Sequence, residues 1–219
     1  SELHDEFGHY QDMFQHLINE EDQLTVFPVY LYAEDGAQYV PNVEEFDGFI
    51  VSGSKHGVYE DHPWLTPLFS SIQQIFESGK KLVGICFGHQ AISMALGGQV
   101  AKSDKGWGIG HYQNTWHQSQ SNEQALTLLS FHQDQVETLP QGFDVLAGSE
   151  FCPFYVTQYQ NQVLTTQGHP EMSVDYILAI VSLFEEKVGL SVANQCRQSI
   201  IEQDDTLSFR RKVCEFWNN

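Results

Sequence analysis

The stretch from Lys81 to Gly98 constrains this chain more than any other. Lys81-Leu82-Val83-Gly84-Ile85 is short and apolar, as a buried parallel strand is. Gln90 to Leu96 reads as a helix closed by Gly97-Gly98. Between them, Gly84-Ile85-Cys86-Phe87-Gly88 sets a cysteine at a sharp strand-to-helix turn. Small neighbours are needed at such a turn because bulkier side chains would collide, and the central side chain is lifted out of the sheet edge. The N-terminus of the following helix favours the thiolate, which is the reactive form. A free cysteine is nevertheless more often a buried small hydrophobe than a nucleophile, and this segment alone leaves that reading open.

A second segment narrows the choice. Val163 to Gln167 reads as another short strand, and it runs into Gly168-His169-Pro170-Glu171. A thiol nucleophile needs a base, and the base needs a group to hold its tautomer. His169 and Glu171 are the candidates for those roles. Pro170 favours an extended His169 and cannot donate to a ladder, so the strand should end there. Carboxyl ends of strands in an open parallel sheet are where such sites assemble.

The remaining pattern organises the chain around these two segments. Tyr10, Met13, Phe14, Leu17 and Ile18 recur at helical spacing. Leu24 to Tyr32 reads as a strand interrupted by Pro28, and Phe46 to Val51 as the next. Trp64, Leu65, Leu68, Phe69, Ile72, Ile75 and Phe76 form an apolar stripe ended by Ser78-Gly79. From Val100 to Gln167 short strands alternate with turns: Pro140-Gln141-Gly142 is a turn and Tyr159-Gln160-Asn161-Gln162 a hairpin. Val174–Val188, Val192–Glu202 and Leu207–Trp217 read as helices. Neither an internal repeat nor a low-complexity linker is evident, so residues 1–219 are expected to be one domain. Early alternation of strands and helices followed by hairpins implies an α/β fold with an open, mostly parallel twisted sheet, helices on its faces and a small antiparallel annex.

Composition excludes several functions. With 10 Lys+Arg against 29 Asp+Glu, the net charge is −19. Nucleic acid and anionic lipid are therefore not expected partners, since nothing here would neutralise their phosphates. No apolar run is long enough to span a bilayer, and no signal peptide is visible. Cys86, Cys152, Cys196 and Cys214 are scattered without CxxC spacing, which fits a reducing, cytoplasmic location. His56, His62, His89, His111 and His117 are more often solvated or core histidines than ligands. Neither H-E-x-x-H nor paired-cysteine spacing appears, so no catalytic metal is expected.

The Gly84–Gln90 segment together with His169-Pro170-Glu171 resembles the triad-type, class I glutamine amidotransferases. Three more segments match in order. Gly48 to Ser54 resembles the family's strand and oxyanion loop. Ser130-Phe131-His132-Gln133-Asp134-Gln135-Val136 resembles the substrate-side segment of the guanylate-synthetase branch, and Lys105-Gly106-Trp107-Gly108-Ile109-Gly110 resembles the strand that precedes it. The resemblance covers nearly the whole chain and implies a flavodoxin-like sheet. It implies Cys86 as nucleophile, His169 as base and Glu171 as its orienting group, with backbone N–H groups at Phe87 and Gly53 receiving the oxyanion. Ser54, Gln90, His132 and Asp134 would hold the substrate. From the residues alone, Gln90 is equally a helix surface residue, and His132 with Asp134 a loop pair without a role.

The implied reaction is hydrolysis of the glutamine side-chain amide through a thioester, giving glutamate and ammonia without a cofactor. A separate synthetase subunit would then use the ammonia. A stand-alone hydrolase of γ-glutamyl peptides or amides is the alternative, and a non-catalytic binding protein on the same scaffold a further one. Three departures from the family pattern stand out. Gly53-Ser54 replaces a glycine pair followed by proline, and Gly168 stands where many members carry Phe. Both changes are expected to enlarge or reshape the pocket rim. Third, the chain passes from Ser1-Glu2-Leu3-His4-Asp5-Glu6 directly to its first helix, so the family's first strand is expected to lie upstream of this sequence.

Overall fold

A computed structural model describes residues 3–18, 25–29, 41–117 and 124–219. Two helices open the described chain, α1 (His4–Phe7) and α2 (Tyr10–Ile18). Next come β1 (Gly48–Val51), α3 (Leu65–Glu77), β2 (Lys81–Ile85), α4 (Phe87–Ala95) and β3 (Gln99–Lys102). The strand-rich middle holds β4 (Gly108–Trp116), β5 (Ala125–His132), β6 (Asp134–Thr138), β7 (Asp144–Gly148), β8 (Val156–Tyr159) and β9 (Val163–Thr166). The tail is helical: α5 (Val174–Leu183), α6 (Glu185–Val188), α7 (Leu190–Ser199) and α8 (Thr206–Asn218).

The main sheet has the order β1-β2-β9-β8-β7-β4-β5, and β3 pairs with β6 in a separate two-stranded sheet. β1, β2 and β9 pair in parallel; the remaining neighbours pair antiparallel. Followed along the order, β1, β2, β9, β7 and β5 point one way and β8 and β4 the other. The result is an α/β fold whose parallel part holds the two segments singled out above, with β3–β6 as the antiparallel annex.

Period-two alternation sends neighbouring side chains of the central strands into different cores. Leu82 and Val163 pack with Ile72, Phe87 and Ile92 of α3 and α4 on one face. Val83, Ile85 and Leu164 pack with Leu17 of α2 and Phe209 and Val213 of α8 on the other. Helices thus cover both faces of the parallel part, which is why these strands read as continuous apolar runs.

Two expectations are revised. The run expected as a strand from Leu24 to Tyr32 is irregular over residues 25–29; its other residues lie outside those described. The single helix expected over Val174–Val188 divides at Phe184, the C-cap of α5 and the N-cap of α6.

Candidate active site

Parallel pairing aligns the carboxyl ends of three strands. Ile85 of β2 is in register with Thr166 of β9, and Gly84 with Val51 of β1. The segments that leave these strands therefore emerge together at one sheet edge, carrying Cys86, His169 and Gly53. The Cys86 N–H donates to Thr166 O at 2.8 Å, extending the ladder past the strand, while its carbonyl accepts from Gln90 N at 3.1 Å and begins α4. One residue must serve both strand and helix, and its backbone is forced to φ 51°, ψ −103°. A non-glycine residue there stores about 1–3 kcal/mol of strain.

Glycines on either side permit the turn. A Cβ at Gly84 would lie 2.7 Å from Ile92 Cδ1 and 2.8 Å from Gly88 O. A Cβ at Gly88 would overlap the Val51 carbonyl, so α4 lies with its backbone directly against β1.

His169 leaves β9 with its N–H donating to Leu129 O at 2.8 Å, which anchors the histidine to β5. Its ring Nδ1 lies 2.7 Å from Glu171 Oε1, and that oxygen also accepts from the Tyr10 hydroxyl at 2.8 Å. Glu171 Oε2 has no hydrogen-bond partner among the described residues. Cys86, His169 and Glu171 are 6%, 3% and 3% exposed, so all three are nearly enclosed. Burial alone would lower the His169 pKa. The Glu171 carboxylate, hydrogen-bonded to the ring, and the nearby Cys86 outweigh it and push the value up to about 10. His132 and His89 are equally enclosed, and burial, with a neighbouring histidine beside each, drives both down to about 3.

The other expected residues converge on the same edge. Phe87 is the first residue of α4, and a first-turn N–H has no intrahelical acceptor. A Cβ at Gly53 would stand 3.1 Å from His169 Cε1 and 3.0 Å from the Tyr10 hydroxyl oxygen, so this backbone lies against the His169 ring. Ser54 Oγ accepts from His56 N at 3.2 Å, inside the loop that follows β1. Gln90 is 3% exposed, which excludes the helix-surface reading. Its Nε2 donates to Asp134 O at 2.9 Å and to Gln167 Oε1 at 3.1 Å. His132 Nδ1 lies 3.2 Å from Asp134 O, and Asp134 Oδ1 accepts from Tyr59 OH at 2.8 Å. His132 and Asp134 are thus not an isolated loop pair; both belong to the network that reaches Gln90.

At Gly168, where an enlarged or reshaped rim is expected, no space is left open. The Tyr155 ring, buried and bonded through its hydroxyl to Ser130 Oγ at 2.8 Å, occupies the space that a side chain at position 168 would need.

Two residues were missed from sequence. Gln167 is fully buried and its Nε2 lies 3.5 Å from Cys86 Sγ, within reach of a weak hydrogen bond. Its place two residues before His169 was the available signal. Tyr10 had none, because the pattern assigned it only to the apolar face of α2. Among the described residues, one set has metal-ligand chemistry, His56, Glu60 and His62, in the loop between β1 and α3.

The sequence model of the glutamine amidotransferase class-I family matches residues 4–176. Gamma-glutamyl peptidase 4 of Arabidopsis thaliana is 28% identical over 95% of this chain and 87% of its own length. A GMP synthase (glutamine-hydrolyzing) of Dehalococcoides mccartyi is 39% identical over 57% of this chain but only 23% of its own. A glutamine amido transferase structure from Methylobacillus flagellatus superimposes with a TM-score of 0.68 at 19% identity, covering 84% of this chain and 79% of the other, a likeness of fold. A family match over most of the chain, on a fold shared with such a structure, means that the chain belongs to the class I glutamine amidotransferase family.

Proposed function

We propose that the chain hydrolyses a γ-glutamyl amide bond by acyl transfer through Cys86. The observation that carries this reading is the strained Cys86 turn beside a His169 held by the buried Glu171. The Cys86 thiolate attacks the γ-carbonyl, and the proton taken up by His169 passes to the departing nitrogen. The tetrahedral oxyanion forms near the Phe87 N–H and a backbone N–H close to Gly53, where donors fixed in advance are worth most. Water, deprotonated by His169, then opens the γ-glutamyl thioester and releases glutamate. Glu171 orients the imidazole and stabilises its positive form; Tyr10 and Gln167 position the carboxylate and the thiol. Ser54, Gln90, His132 and Asp134 shape the substrate end of the site. The proposed chemistry requires no cofactor.

The leaving group divides two readings. A γ-glutamyl peptide is favoured by the relative that aligns almost end to end with this chain and is named a peptidase. Free glutamine, with ammonia passing to a separate synthetase subunit, is favoured by the similarity to part of a GMP synthase. A purely binding role is disfavoured, because the strained Cys86 backbone opposes stability and serves no binding contact.

Glutamate release from glutamine, glutathione and a panel of γ-glutamyl dipeptides, using the purified chain, tests the reading. Turnover of the peptides above glutamine supports the peptidase; the reverse supports the amidotransferase. Cys86→Ala should abolish release in either case while leaving the fold intact. Turnover that survives in Cys86→Ala would remove the proposed nucleophile.

A further inference from the structure

The loop between β1 and α3 gathers three potential ligands. One potential ligand atom from each of His56, Glu60 and His62 lies within 4.8 Å of the other two. Glu60 Oε2 is 3.3 Å from His56 Nδ1 and 2.7 Å from His62 Nε2, so one oxygen faces two imidazole nitrogens. The two histidine rings are 4.4 Å apart between centroids. The side chains are 28%, 44% and 29% exposed for His56, Glu60 and His62, which leaves an ion a path in and a free coordination position.

We propose that His56, Glu60 and His62 form a binding site for a divalent transition ion of the zinc type, which clamps the loop between β1 and α3. Two imidazoles and one carboxylate suit zinc and its neighbours, whereas calcium and magnesium demand oxygen ligands. With bonds of about 2.0–2.1 Å, a tetrahedral ion holds its ligands roughly 3.4 Å apart, so side-chain adjustments suffice and the backbone can stay in place. The ion replaces the protons that the present carboxylate–imidazole contacts share. Water would fill the fourth position.

The clamp would act on both ends of the loop. At one end, His56 N donates to Ser54 Oγ, next to Gly53. At the other, the His62 ring stacks on Trp64 at 11° between planes, and Trp64 packs against Phe87. Between them, Tyr59 OH donates to Asp134 Oδ1. The ion would fasten the loop that runs from the proposed oxyanion backbone to the head of α4. It takes no part in the thiol chemistry, and the sequence motif is His-x3-Glu-x-His, unlike that of metal-dependent hydrolases.

The test reads binding alone, so its outcome is independent of the proposed reaction. Cys86→Ala protein keeps ions off the thiol and serves as the parent. Equilibrium dialysis against Zn2+ should retain about one equivalent, and Co2+ should give visible absorption of a four-coordinate ion while quenching part of the tryptophan emission. Glu60→Gln and His62→Asn should each weaken retention at least as much as loss of an outer partner does, about 10–100-fold. His117→Asn should retain the ion like the parent. Glu60→Gln keeps the side-chain size and decides the matter if His62→Asn alters the urea midpoint. No retention by the parent, or equal retention by both ligand variants, overturns the proposal.

Discussion

At the residue scale, one carboxylate separates His169 from two other enclosed histidines. Burial pushes His89 and His132 down to about 3, whereas Glu171 and Cys86 together hold His169 up at about 10. In the unfolded chain a histidine loses its proton near pH 6.5. Above that pH the folded chain therefore binds a proton that the unfolded chain does not. The stabilisation is fully present below about 6.5 and is lost as pH rises through the folded value near 10. Urea midpoints measured from pH 6.5 to 9.5 should fall steadily, and less steeply for Glu171→Gln; equal slopes in both proteins would refute the account. The Tyr10 hydroxyl belongs to the same cluster, and burial beside Glu171 raises its own pKa. Tyr10→Phe removes a donor to a buried carboxylate that has one oxygen without a partner. It should lower stability by about 1.5–3 kcal/mol at neutral pH, read by urea denaturation. A change within error would mean that Glu171 does not rely on Tyr10.

At the element scale, the docking of α4 against β1 depends on Gly88. A Cβ there meets the Val51 carbonyl, which is backbone and cannot rotate away. Gly88→Ala should cost at least about 3 kcal/mol, near or beyond the usual overpacking range. Gly97→Ala is the comparison: φ is +96° but nothing lies within 4 Å, so only conformational strain of about 1 kcal/mol or more is added. Urea midpoints should rank Gly88→Ala well below Gly97→Ala, and the opposite order would mean that the helix shifts freely on the strand. The same steric logic made this region legible in sequence. A cysteine between glycines after an apolar pentad admits few geometries, and β2, α4 and β9 appear where those residues put them. Tyr10 was illegible because its partner Glu171 lies 161 positions away, and an apolar helical stripe accounts for a tyrosine without it. His56, Glu60 and His62 lie in a loop, where no periodicity places side chains relative to one another. At Gly168 the sequence revealed a missing side chain but not the Tyr155 ring that fills its place. The Leu24–Tyr32 apolar run is irregular over residues 25–29, because strand propensity alone is a weak guide.

For the whole molecule, the charge of −19 is spread over a chain with only 10 Lys and Arg. Folding concentrates those carboxylates, and their mutual repulsion opposes the compact state. Exposed ion pairs offset little of it: Arg197 and Glu185 meet with 37% of each side chain exposed, and such pairs contribute about 0–1 kcal/mol. The His169–Glu171 pair, at 4% and 0% side-chain exposure, is hardly reached by salt. Screening should therefore weaken the surface repulsion while leaving the buried pair intact. With a screening length of about 10 Å at 0.1 M, most of the gain should appear between low salt and about 0.2 M NaCl. Relief of about 1 kcal/mol would raise Tm by about 2–4 °C in a chain of this size. A parallel series at pH 5.5, nearer the sequence pI of about 4.6, should show a smaller rise because the net negative charge is smaller there. A Tm that falls with added NaCl at neutral pH would mean that attractive surface pairs outweigh the net repulsion. A rise of equal size at both pH values would point to salt acting on apolar burial rather than on charge.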